Sequence, residues 1–286
     1  MTIPKQKSIW GTKLYISPDD VTVSRNALAA GGEGKAAIIL PGSPDTVAVF
    51  DDFLGDLVGD EWNYVEGDTG SSGALVAGTN GVFRLLGSNT DAAAPSAVRA
   101  LNSGALNWKA NQGRGTGGPN GSRLRMGARI KIESADRSAK RQSVFVGFTD
   151  LTTAEMPAYD TGAGVISPAS DLVGFLYGAR ADTGWSGVAA KSIAGDSGDQ
   201  LVVLGAQYGP SSNVYTDLEV EISRGAGDTG GKATFYINGV ARGVINSPVG
   251  SAVALTPIIA TFDEDTGARF VDVDWINVSA PRDTGM

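Results

Sequence analysis

The chain has 286 residues, with 31 acidic against 23 basic side chains, a net charge of −8, and no cysteine or histidine. Disulfides, thiolate nucleophiles, Ser-His-Asp triads and histidine-ligated zinc are therefore excluded, and only carboxylates, Lys, Tyr and Ser/Thr remain for chemistry. The acidic balance opposes non-specific nucleic-acid binding, which depends on neutralising phosphates.

Residues 1–46 read as an extended N-terminal arm. Lys5, Lys7 and Lys13 make it basic. Two short apolar stretches, at 14–16 and 36–40, flank a glycine-rich piece, and Pro41 and Pro44 mark a break. Among the arm's apolar side chains, Trp10, Tyr15, Ile38 and Ile39 are those expected to pack on a partner. The start of the chain has no apolar core of the signal-peptide kind, and no run of about 18 apolar residues spans a membrane. Synthesis in a cytoplasm is expected.

From Val47 the strand signals recur, to about residue 281, with 282–286 as a tail. Residues 47–50 lead into Asp51-Asp52-Phe53, then Trp62 and Tyr64, then a strand over 81–86. Residues 104–121 hold six glycines and read as a long loop. RLRMGARIKIE, 123–133, alternates cleanly: Leu124, Met126, Ala128, Ile130 and Ile132 point one way, and Arg123, Arg125, Arg129 and Lys131 the other. Further strands are expected over 143–148, 172–179, 187–190, 201–205, 217–222, 234–237, 253–262 and 269–278, with a lone helical turn near 152–156. Asn238-Gly239 follows a β-branched and aromatic run and predicts a type I′ hairpin turn. Many short strands between turn signals predict an all-β sandwich or barrel. Trp62, Leu124, Ile130, Ile132, Val144, Val146, Phe175, Val220, Phe235, Ile237, Val273 and Trp275 are its expected core.

Four patterns bear on chemistry. Asp-Thr-Gly recurs six times, but its flanks are loops, where Asp and Gly serve turns; an aspartic protease would need it after apolar strands. Glu219/Glu221 and Asp272/Asp274 are i, i+2 carboxylate pairs, each on one strand face at about 7 Å, a spacing glycosidases use; a solvated or ion-paired strand face is the simpler explanation and the one favoured here. Residues 114–141 contain eight Lys/Arg against two acids. Their row Arg123, Arg125, Arg129 and Lys131 either pairs across strands with Glu219 and Glu221 or docks on an acidic partner. No cofactor is expected. A structural calcium would use loops such as 263–265 or 196–199.

Residues 218–222, a loop, then Phe235-Tyr236-Ile237-Asn238-Gly239-Val240 resemble the late strands of the concanavalin A-like lectin/glucanase (laminin-G-like) jelly roll. FVDVDWINV, 270–278, resembles its closing strand, and 50–53 with Trp62 its opening partner. The resemblance covers about 47–281 and implies two antiparallel sheets. The family's sugar and calcium ligands find no matching loop here, nor does the Glu-x-Asp-x-x-Glu motif of its glucanases. In composition the whole chain resembles virion structural proteins of tailed bacteriophages, which implies a non-enzymatic capsid decoration or head-fibre protein. It would dock through its arm on a major capsid protein and on itself, as a homo-oligomer such as a trimer. A glycan-binding module is the alternative, with Trp108, Tyr159, Tyr177 and Trp185 as candidate platforms, and a β-glucanase-like hydrolase the third.

Overall fold

A computed structural model describes residues 7–9, 12–14, 46–51, 53, 62–66, 72–76, 81–86, 98–102, 108–109, 122–133, 142–151, 156–160, 165–178, 184–191, 200–224, 231–250, 253–263 and 269–281. In the arm, β1 (Lys7–Ile9) and β2 (Thr12–Leu14) pair with each other as an antiparallel hairpin. The body begins with β3 (Thr46–Asp51), β4 (Asn63–Glu66), β5 (Ser72–Leu75), β6 (Phe83–Leu86), β7 (Val98–Asn102) and β8 (Trp108–Lys109). The long strands β9 (Ser122–Ile132) and β10 (Gln142–Thr149) follow, then β11 (Tyr159–Asp160), β12 (Val165–Ile166), β13 (Leu172–Gly178), β14 (Ser186–Ala190) and β15 (Gln200–Val203). A 3₁₀ turn, Ala206–Tyr208, leads into β16 (Tyr215–Arg224), β17 (Lys232–Ile237), β18 (Val240–Asn246), β19 (Ala254–Asp263) and β20 (Phe270–Pro281). The helical turn expected near 152–156 falls almost wholly outside the described residues.

Two eight-stranded antiparallel sheets face each other. The first runs β18-β17-β16-β9-β20-β6-β5, with β3 beside β20; the second runs β15-β14-β13-β10-β19-β7-β4, with β8 beside β19. The closing strand does return to the opening one: Ile276 to Pro281 pair with Asp51 to Thr46. This is the expected all-β jelly-roll sandwich. Among the described residues no helix is long and apolar enough to cross a membrane.

The inner faces of both sheets meet in one core. Leu124, Met126, Ile130 and Ile132 of β9, Leu218, Val220 and Ile222 of β16 and Phe235 of β17 pack against Val144, Val146 and Phe148 of β10 and Val173, Phe175 and Tyr177 of β13. The second sheet is apolar on its other face too. Phe145, Leu172, Leu176, Val188 and Ile258 lie there beneath Met156, Ala158 and Ala169 of the segment that crosses over them. Burial on both faces is why β10 and β13 read as near-continuous apolar runs, whereas β9 and β16, polar outside, alternate.

One expected core residue lies elsewhere. Val271 and Val273 face the core, and so do Ile276, Val278 and Ala280, so the parity of β20 switches between them. The register with β9 slips between Val273 and Trp275. A β-bulge adds one residue there and turns the side chains that follow. Trp275 is thereby set opposite Arg129, on the outer face, and is buried there and not in the core.

The hairpin turn takes the predicted form. Asn238 has φ 50° and Gly239 φ 76°, both left-handed as a type I′ turn requires. The Asn238 amide donates to the Asp217 carbonyl at 2.8 Å, and its Oδ1 accepts from the Asp217 amide at 3.0 Å. Asn238→Ala loses that acceptor and, with it, the local hydrogen bonding that lets asparagine tolerate positive φ. Thermal or urea unfolding is expected to show a loss of about 1–2 kcal/mol; Asn238→Gly is expected to lose less.

Candidate functional site

The outer face of the first sheet concentrates the polar chemistry of the described residues. Alternation on β9 sends Arg125, Arg129 and Lys131 outward, and alternation on β16 sends out Tyr215, Asp217, Glu219 and Glu221. Register sets Glu221 opposite Arg125, Asp217 opposite Arg129 and Tyr215 opposite Lys131. On the other side of β9, β20 sets Asp272 opposite Lys131, and β6 sets Arg84 opposite Asp272.

These neighbours form a lattice of ion pairs. Asp272, 1% exposed, accepts a fork from Arg84, with Nε at 2.6 Å and Nη2 at 2.9 Å, and Lys131 Nζ lies 2.9 Å from its Oδ2. Arg129 Nε is 3.4 Å from Asp274 and 3.9 Å from Asp217, and Arg125 pairs with the largely buried Glu221. Two aromatic rings are set into the lattice. Arg84 Cζ stands 3.8 Å from the centroid of Phe270, and Lys131 Nζ lies 5.6 Å from that ring and 5.1 Å from the ring of Tyr215. Arg129 Cζ is 5.3 Å from the Tyr215 ring. Burial, then the charges of Asp272 and Asp274, push the Tyr215 phenol up to about 12, so it is a neutral hydrogen-bonding group across the physiological range. The hydrogen bond and charge of Asp272 hold Arg84 above the usual guanidinium value.

The basic row is thus paired across strands, to Glu221 as weighed from sequence and also to Asp217, Asp272 and Asp274. The side chain of Arg123 lies outside the described residues, as do Trp10, Tyr15, Ile38, Ile39 and the side chain of Trp108. Both Asp272 oxygens are occupied by cationic N–H donors, so neither is turned to a substrate. Of the proposed platforms, Trp185 is fully buried against Phe175 and Tyr177. A flat glycan cannot reach a ring with no exposed face, and Trp185 is corrected to a core residue, as is Tyr177. Tyr159 is half-buried against the outer cluster of the second sheet. Residues 196–199 and 264–265, the calcium candidates, lie outside the described residues; among those described, no three His, Cys, Asp or Glu side chains converge on a metal position. Sequence reasoning passed over Tyr215, Phe270 and Arg84. The first two stand at strand ends, where alternation is least persuasive. Arg84 is the single charge in the apolar run FRLL, a signal in itself.

No family model and no curated protein matches the chain. Solved structures do match in fold. An endo-1,3-β-glucanase from Streptomyces sioyaensis superposes with a TM-score of 0.52 at 14% identity, over 85% of this chain and 99% of its own. An endo-β-galactosidase from Clostridium perfringens that releases GlcNAcα1-4Gal gives 0.50 at 14% identity, over 81% of this chain and 62% of its own. Peanut lectin gives 0.48 at 11% identity, over 82% and 97%. The fold is the concanavalin A-like lectin/glucanase jelly roll. The expectation that the chain is not an enzyme is corrected here: it shares its architecture with two glycan hydrolases, so the fold supplies no ground for excluding catalysis. These three neighbours lend a virion role no support.

Proposed function

We propose that the chain is a glycan-directed jelly-roll protein that engages a neutral, hydroxyl-rich saccharide on the outer face of its first sheet. One observation carries this reading: the half-buried rings of Tyr215 and Phe270 lie within a lattice of fixed, charge-paired donors and acceptors. A sugar ring offers C–H faces that suit an aromatic surface and hydroxyls that suit such groups, and recognition sites combine apolar area with a few placed polar atoms. Among the described residues, the cations of the face are spent on Asp272, Asp217, Asp274 and Glu221, and they offer no surplus positive charge to a polyanion. A neutral β-glycan fits better than an acidic one. The names of the two hydrolases of like fold point to β-1,3-glucans and β-galactosides as the first ligands to try.

Calorimetric titration with β-1,3-gluco-oligosaccharides and β-galacto-oligosaccharides tests this, with reducing-end release measured on the same samples. Saturable binding to one of them is expected, weakened about tenfold by Tyr215→Ala, the scale of about 1.4 kcal/mol for one aromatic contact. Absence of both binding and release across neutral β-glycans rules the reading out.

A further inference from the structure

The two sheets end side by side on one flank of the sandwich, with β15 the last strand of the second and β18 the last of the first. They touch there: a β-carbon added to Gly243 of β18 would stand 2.5 Å from Leu204 Cδ2 and 3.3 Å from Val202 Cγ1. Five large apolar side chains are exposed among the described residues, and four belong to these strands: Leu201 (50%), Val203 (65%), Val240 (48%) and Val244 (42%). Leu201 and Val203 extend the apolar outer surface of the second sheet, since Leu201 is opposite the buried Val188.

Natural edge strands are usually guarded by charge, proline or a bulge. β18 has a bulge at Arg242, opposite Phe235 and Tyr236 of β17. Its one charge, Arg242, folds onto Tyr208, with Nη1 donating to the phenol oxygen at 2.7 Å. β15, Gln-Leu-Val-Val, has no such guard. Its backbone is also turned outward at the right places. The Leu204 amide donates to the Trp185 carbonyl at 3.2 Å. In an antiparallel ladder alternate residues bond to the same neighbour, so Val202 faces β14, while Leu201 and Val203 direct their N–H and C=O groups to the open edge.

We propose that a second copy of this chain pairs with that edge, antiparallel, about a two-fold axis through Val202. This register sets Leu201 opposite the partner's Val203, and Val203 opposite the partner's Leu201. Both are positions whose backbone groups point outward, so each pair exchanges two hydrogen bonds. The four apolar side chains meet on one face, and Val202 meets its own copy on the other. Such self-complementarity is what a two-fold contact requires, and a second copy brings to it the same exposed apolar pair, so that Leu201 and Val203 cover one another. Val240 and Val244, on the adjoining edge, extend the contact beyond a four-residue strand, which alone falls short of the ~1,000 Å² typical of a specific interface. The inference is independent of the glycan reading.

Sedimentation equilibrium of the full chain from about 1 to 100 μM tests it, a range that brackets a micromolar dimer. A mass of twice 29.3 kDa is expected at the upper end. Val203→Lys is expected to weaken association at least about tenfold by placing like charges across the axis. Because Val203 is largely exposed, the variant monomer is expected to keep the melting temperature of the dilute wild type. Amide exchange supplies a second reading, with Leu201 and Val203 protected at high concentration and unprotected on dilution. A chain that stays monomeric throughout, an oligomer that Val203→Lys leaves intact, or exchange at these amides that ignores concentration each overturns the proposal. Assembly through residues 1–46 would show the second of these.

Discussion

Replacing Arg84 and Lys131 together by methionine lowers the free energy of unfolding by about 3–5 kcal/mol. The reason lies in which member of the triad is buried. Asp272 is 1% exposed, whereas the Arg84 side chain is 33% and the Lys131 side chain 20% exposed. Removing the cations strands a carboxylate that water cannot reach, whereas removing the carboxylate leaves two cations free to turn outward. The account therefore predicts an asymmetry. Asp272→Val alone costs less than the double substitution, and adding Asp272→Val to Arg84→Met and Lys131→Met recovers most of the loss, because an apolar residue in a buried ionic site is close to neutral. Urea denaturation of the four proteins reads this directly. A triple variant no more stable than the double one would mean that Asp272 is not the stranded group.

Trp185→Ala is expected to cost about 3–5 kcal/mol, the range for a large aromatic removed from a packed core. The ring stands edge-on to Phe175 at 6.3 Å between centroids, 5.7 Å from Tyr177, and Phe175 in turn meets Phe235 edge-on at 5.3 Å. Gly187 keeps this cluster tight, since a β-carbon there would come within 2.8 Å of the Phe235 ring. The indole Nε1 makes no hydrogen bond among the described residues, so Trp185→Phe gives up volume alone and is expected to cost roughly 1–2 kcal/mol. Both are measured by thermal unfolding. The pair also separates two roles for the residue. If Trp185 were a glycan platform, Trp185→Ala would abolish binding at unchanged stability; as a core residue it changes stability first, and Trp185→Phe leaves glycan affinity as it was.

The fold was legible because the strongest local signals lay where tertiary structure agreed with them. RLRMGARIKIE alternates because β9 has one face in the core and one in the ionic lattice, and Asn238-Gly239 closes a hairpin because only such a pair adopts two positive φ values cheaply. Alternation misleads where the ladder is irregular. Trp275 reads as core by parity from Val273, and one inserted residue puts it on the opposite face. Exposure was illegible for a different reason. An aromatic residue beside a glycine-rich loop, as Trp185 is, reads the same whether its ring fills the core or stands in water, because the neighbours that decide it come from distant strands. The candidate face was half legible. The basic row and the acidic alternation of β16 were visible in one dimension, but the register that marries Arg125 to Glu221, and the fork from Arg84 to Asp272 across 188 residues of chain, were not. Nor was the exposed flank, since the apolar run that holds Leu201 and Val203 marks a strand without saying whether it lies inside a sheet or at its edge.

The glycan reading makes a claim about place, and chemical-shift mapping tests place. The measurement is a titration of isotopically labelled protein with the β-glycan that calorimetry selects, followed at the amides of β9, β16 and β20 and at the ring signals of Tyr215 and Phe270. The account predicts saturating shifts centred on Lys131, Tyr215, Phe270 and Asp272, with the outer surface of the second sheet and the β15 edge unmoved. Shifts confined to the second sheet or to the loops, with Tyr215 and Phe270 silent, would contradict it.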